Sequence, residues 1–257
     1  MLEWFRDLNA IALMGSVALL ALGLVMLTGL LARQLKPQAS HSTAALDAYK
    51  IIVSFLAILL SFSLVQANVL LRSSDMAVST EAGAMNQLDR ILVRVRAPST
   101  DAIRPKLRDY MRSVLDKDWP AMRRGQDDSE AQPVLGSLNR AALTLTPADL
   151  GDRPQLFPEI TKYLDVLNDS RQSRMDSVHI GLPAVLWETT AILCTILIVL
   201  SAMIDMPARL VALGGHAVSI GVLLALTFAV DQPHRGSVST SPAPIERVLD
   251  LVRTRVD

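Results

Sequence analysis

Ser54, Ser61 and Asn68 recur at intervals of seven inside Ile51–Leu71, a run without a charged residue between Lys50 and Arg72. In a helix that interval returns to one face. Hydrocarbon cannot satisfy a hydroxyl or an amide, so such a stripe must meet other helices or water. Beside it, Phe55, Leu59, Phe62 and Gln66 form an i, i+4, i+7, i+11 ridge. If several copies of this helix ring an axis, the polar stripe holds water and the apolar ridge forms a constriction that gates by dewetting. Ser54, Phe55, Leu59, Ser61, Phe62, Gln66 and Asn68 are therefore the pore-lining candidates. Ordinary interhelical packing is the other reading of the same ridge. Glu188, beside Trp187 near the start of a later apolar run, is an intramembrane carboxylate or a solvated residue at the interface.

Other reactive side chains lack company. Asp127, Asp128 and Glu130 lie in a polar loop, Arg123–Gln132, without the glycine and terminal glutamate of a calcium loop. His41, His179, His216 and His234 show no ligand spacing, and the single Cys194 allows no intrachain disulfide. No phosphate loop, dinucleotide fingerprint, nucleophile elbow, HExxH or zinc spacing occurs. Basic residues are balanced by acids, without the aromatic interleaving of a nucleic-acid surface. These features predict no enzyme, catalytic residue, cofactor, metal site or nucleic-acid partner.

The elements that must position the candidates are helices in a bilayer. The 257 residues are 51% hydrophobic with no formal net charge. Apolar runs at about 8–32 and 51–71 predict a first transmembrane hairpin within 1–71, and two more predict a second hairpin over 182–230. Between the spans of the first, 33–50 reads as a polar loop. Gly15, Gly23 and Gly29 predict close helix approach in span one, and Ala217, Gly221, Ala225 and Ala229 a packing ridge in span four. Span two has no stop at the membrane edge. Met76, Val78, Ala82, Met85, Leu88 and Leu92 continue at helical spacing, and Pro98 is the first proline after the span.

Residues 72–181 are predicted to form a helical cytoplasmic domain built on extensions of spans two and three. A helix over 102–118 closes at Trp119 and Pro120, and others follow over 133–143 and 158–180. A cytoplasmic C-terminal segment, 231–257, ends in a helix capped near Ser241. The predicted fold is all-α throughout. Four spans put both termini and the large domain on one side. Arg6, Arg72, Arg90, Lys162, Arg171, Arg174, Arg235 and Arg247 lie there, against Arg33, Lys36, Lys50 and Arg209 opposite, so that side is predicted to be cytoplasmic. The leader MLEWFRD is not basic and its apolar run is long, which argues against a cleaved signal peptide.

Four stretches occur in a particular order: Ser79–Ala82 (STEA), Tyr110–Pro120 (YMRSVLDKDWP), Leu182–Trp187 (LPAVLW) and Asp231–Gly236 (DQPHRG). The chain from about Ile51 onward resembles the bestrophin-like domain family, four-span bacterial membrane proteins distantly similar to bestrophin ion channels. The resemblance implies a multi-pass protein of the bacterial inner membrane, a pentamer, a span-two pore and ions as the permeating partner. The bestrophin calcium-sensing acidic cluster is absent. Two functions follow as expectations. One is an oligomeric ion channel in the lipid bilayer. The other is a membrane receptor or scaffold whose helical domain binds a partner or small ligand.

Overall fold

The computed structural model describes residues 10–32, 39–95, 97–127, 130–204, 210–236 and 238–255. The main helices are α1 (Ala10–Ala32), α2 (Ala39–Val95), α3 (Ile103–Ser113), α4 (Ala131–Leu143), α5 (Phe157–Asp176), α6 (Ala184–Met203), α7 (Leu210–Val230) and α8 (Ala243–Thr254). No strand occurs among the described residues, and the fold is all-α. Stretches of α1, α2, α6 and α7 are long and apolar enough to cross a membrane. Asp128 and the leader lie outside the described residues.

The chain divides into two compact units. One comprises Met1–Leu70, Gly181–Gln232 and Gly236–Ser239. Its core joins Val25 of α1, Tyr49, Val53, Leu56 and Leu60 of α2, Leu197 of α6, and Leu213 and Ala217 of α7. The small ridge on α7 brings α1 close, for a side chain on Gly221 would sit 2.9 Å from Ala18 Cα. Gly15 and Gly23, expected to serve the same purpose, face open space instead. Thr28 Oγ1 and Ser201 Oγ link α1 to α6 at 3.2 Å.

The other unit comprises Leu71–Ile180, Pro233–Arg235 and Thr240–Asp257. Its core is built from apolar faces: Val78, Met85, Leu88 and Leu92 of α2, Leu107 and Met111 of α3, Leu135 and Leu138 of α4, Leu164 and Leu167 of α5, and Ile245 and Leu249 of α8.

Three boundaries differ from the sequence expectation. The segment 39–50 is helix, not loop, because Ala45 and Tyr49 continue the buried face of α2. The chain also does not stop at Trp119 and Pro120. A π turn, Val114–Asp118, carries it into a further helical turn, Trp119–Arg123, with the Trp119 N–H bonded to the Val114 carbonyl. Proline supplies no N–H and crowds the carbonyl four residues back, and the wider turn accommodates it. Finally, α5 ends at Asp176, before the expected Ile180.

Candidate pore face and the polar groups behind it

Two stripes run along the first part of α2. Val53, Leu56, Leu60, Ser63 and Ala67 are buried within the unit. Opposite them Ile51, Phe55, Ile58, Phe62, Val65 and Val69 are exposed in the single chain, Phe55 at 56% and Phe62 at 71%. Both stripes advance in steps of three and four, the spacing of a straight helix with two different neighbours. Within a bilayer, acyl chains, an apolar neighbouring helix or a dewetted pore axis all suit the second stripe.

The pore-lining candidates distribute over this free side. Phe55, Phe62, Gln66, Ser54 and Ser61 are exposed, whereas Leu59 and Asn68 are half-buried. The polar stripe is self-satisfied. Ser54 Oγ donates to the Lys50 carbonyl at 2.9 Å, Ser61 Oγ to the Ala57 carbonyl at 2.7 Å, and Asn68 Nδ2 to the Leu64 carbonyl at 2.9 Å. Their oxygens keep lone pairs for water. Glu188 is exposed in the second turn of α6, next to Trp187, whose ring meets Phe228 edge-on at 6.1 Å.

The second unit holds an ionic cluster that sequence reasoning missed. Arg174 on α5 is 0% exposed. Its Nε donates to Glu81 Oε2 at 2.5 Å, and Nη2 to Glu81 Oε1 at 3.1 Å. Nη2 also donates to Asp118 Oδ2 at 3.5 Å. The Tyr110 hydroxyl donates to Glu81 Oε1 at 2.5 Å. Asp118 further accepts the Ala131 N–H at 3.2 Å, at the start of α4, and lies 3.7 Å from Arg171 Nη2. A two-pronged guanidinium–carboxylate pair is the geometry in which burying charge is tolerable. Burial pushes the Tyr110 phenol well above its usual range, with Glu81's charge adding to it. Burial also raises the Asp118 carboxyl, against the pull of Arg174 and Arg171. Desolvation disfavours the charge on Arg174, but Glu81 outweighs it and holds the guanidinium protonated.

His234, which has no ligand spacing in the sequence, is buried in the same unit among hydroxyls. Its Nε2 lies 2.7 Å from Ser177 Oγ and 3.1 Å from Ser74 Oγ, and Thr240 Oγ1 donates to Ser74 Oγ at 3.2 Å. Ser177 Oγ gives its own hydrogen to the Arg174 carbonyl at 2.6 Å. Nε2 must then carry the proton that Ser177 accepts, a tautomer assigned from this network. Nδ1 is buried without a hydrogen-bond partner among the described residues. Burial, then the nearby Arg174, lowers the His234 pKa to about 4. The Trp119 ring meets His234 edge-on at 6.0 Å.

The other reactive groups are accounted for locally. Asp127 lies 3.3 Å from His179, and Glu130 pairs with Lys117 at 3.0 Å. Asp89 is buried between Arg104, at 3.0 Å, and Arg255, at 3.3 Å. In the first unit, Asp231 Oδ1 accepts the Leu182 N–H at 2.7 Å, which joins the DQPHRG and LPAVLW stretches.

The sequence did hold a signal for the ionic cluster. Arg171 and Arg174 extend the buried line Ile160, Leu164, Leu167 on α5, and Glu81 falls between Val78 and Met85 on the apolar face of α2.

These features define an all-α membrane protein with four spanning helices and a helical unit organised around a buried ion-pair cluster. The bestrophin-like domain model matches residues 14–245, and the chain belongs to the bestrophin-like domain family. Its fold is similar to that of a crystallised membrane protein, a single-substitution variant, at a TM-score of 0.71 and 12% identity, covering 94% of this chain and 98% of that one. It is also similar to a bacterial bestrophin homologue from Klebsiella pneumoniae, likewise a variant, at a TM-score of 0.65 and 12% identity, covering 94% and 96%. No curated protein matches the chain.

Proposed function

We propose that the protein is an oligomeric ion channel of the bacterial inner membrane, with the free face of α2 lining the conduit. The observation that carries this reading is the apolar stripe through Phe55 and Phe62, left exposed on a helix whose opposite side is packed. Family membership supplies the second support. Copies arranged with this stripe toward an axis form a narrow apolar ring that excludes water, flanked by the hydroxyls of Ser54 and Ser61 and the amides of Gln66 and Asn68. The bestrophin resemblance implies five copies. The charge bias around the spans favours both termini and residues 72–181 in the cytoplasm. Glu188 is the carboxylate proposed to act on permeating ions.

The test is ion flux in proteoliposomes, with impermeant-ion controls, alongside oligomer mass in detergent. Phe62→Ala and Leu59→Ala should raise flux while the oligomer stays intact, since smaller apolar groups admit water. Leu59 is half-buried, so Phe62 is the sharper of the two. Glu188→Gln should change flux or its pH dependence without changing assembly. An intact oligomer with no gain from either α2 substitution refutes the apolar gate. A monomer without flux refutes the channel.

A further inference from the structure

The four-helix unit contains an apolar cavity of about 200 Å³. Its wall is formed by Ala21 and Leu24 of α1, Tyr49 of α2, Cys194 and Leu197 of α6, and Ala217 of α7, among others. Ala21 and Ala217 put short side chains into its wall, and α1 and α7 approach closely beside it at Ala18 and Gly221. These wall residues of α1, α6 and α7 lie well inside helices long enough to span a bilayer, at the depth of the hydrocarbon.

Water is a poor occupant, because it needs two to four polar partners and this wall is almost wholly apolar. An apolar cavity of about 150 Å³ stays dry and takes up benzene or xenon, so a larger one has room for a hydrocarbon guest. The cavity is also open to its surroundings. Leu24 in its wall is 41% exposed, and Cys194 and Ile198 are half-buried. At that depth of a bilayer the medium outside the opening is acyl chain.

We infer that this cavity is a binding site for one acyl chain of a membrane phospholipid, inserted between α1, α6 and α7. The site is independent of the conduit proposed for α2. Cys194, the only cysteine in the chain, is a built-in reporter on its wall.

The experiment uses the full-length protein in detergent, titrated with dioleoyl phosphatidylcholine. N-ethylmaleimide modification of Cys194 is followed by mass, and native mass spectrometry counts retained lipid. Lipid at ten times its dissociation constant should slow modification by about tenfold, because only the empty fraction reacts. One retained lipid per chain should be lost in Ala21→Leu and Ala217→Leu, which fill the space. If those variants fail to fold, Cys194 protection in the unaltered protein decides alone. Modification at one rate with and without lipid overturns the site, as does equal lipid retention by folded variants and wild type. Protection that follows protein concentration instead of lipid assigns the opening to a second copy and also overturns it.

Discussion

Replacing Arg174 with leucine removes the guanidinium that answers two buried carboxylates. Glu81 would keep only the Tyr110 hydroxyl, at 2.5 Å, after losing bonds of 2.5 and 3.1 Å. Asp118 would keep the Ala131 amide and Arg171, so the loss falls mainly on Glu81. Removing one partner of a buried ion pair costs about 3–5 kcal/mol, because the other charge stays in the core. Tyr110→Phe is milder. It removes one hydrogen bond to a charged group, about 1.5–3 kcal/mol, and leaves the two-pronged pair intact. At about 2–4 °C per kcal/mol for domains of this size, Arg174→Leu should lower the unfolding midpoint by roughly 6–20 °C. The assay is thermal unfolding in detergent followed by circular dichroism. The Glu81→Leu, Arg174→Leu double variant should recover much of the loss, since no orphan charge then remains. An Arg174→Leu midpoint equal to wild type, or strictly additive single effects in the double variant, would refute the account.

Three further outcomes follow from the same geometry. His234 has a folded pKa of about 4 against an ordinary value of 6.5, so between those values the unfolded chain binds the extra proton. Stability should be complete above about pH 6.5 and fall by about 3 kcal/mol as the pH drops toward 4, a slope that His234→Gln should flatten in chemical-denaturation titrations. Asp231→Ala should destabilise by about 1–3 kcal/mol by leaving the Leu182 amide without its carboxylate, and Asp231→Asn, which keeps an acceptor, should recover part of it in the same titration. For orientation, in a Cys194→Ala background, a cysteine replacing the exposed Ala44 should react with an impermeant thiol reagent on intact cells. One replacing the exposed Ala148 should react only after permeabilisation, and the reverse pattern would invert the proposed topology.

The all-α fold and the family were legible because they rest on composition and on local periodicity. The apolar runs announce the spans, and the Met85, Leu88, Leu92 pattern carries span two onward as one helix to Val95. The start of that helix was not legible in the same way. Ser40, His41, Ser42 and Thr43 have the composition of a loop, although Ser42 shares the packed face with Ala45 and Tyr49. Arg174 was hidden by habit of residue type, since an arginine on a soluble helix is ordinarily solvated. Its position on the buried line of α5 was the contrary sign. His234 offered no periodic sign, only its place in the DQPHRG stretch. It follows a proline in a non-helical segment, and its partners Ser177 and Ser74 are 57 and 160 residues away along the chain. No local period reports such a contact.

The stretches that carry the family resemblance have a physical reading different from that of the proposed pore face. Glu81, Tyr110, Asp118, Trp119, Leu182, Asp231 and His234 all lie in them, and each is bonded to, or in ring contact with, another of the set or with Arg174 or a hydroxyl beside it. None of the candidates on the free face of α2 lies in those stretches. A buried donor or acceptor needs one particular partner at one distance, so its identity is tightly specified. An exposed apolar position asks only for an apolar neighbour, and several residue types meet that demand. The recognisable motifs therefore describe the buried contacts that hold the helices, whereas the proposed conduit face of α2 lies outside those four stretches. Two classes of variant should separate on this basis. Changes at Arg174, Glu81 or Asp231 should move the unfolding midpoint, and flux only through the fraction of protein left folded. Changes at Phe62 should move flux at constant stability, because that side chain already stands clear of the packed core.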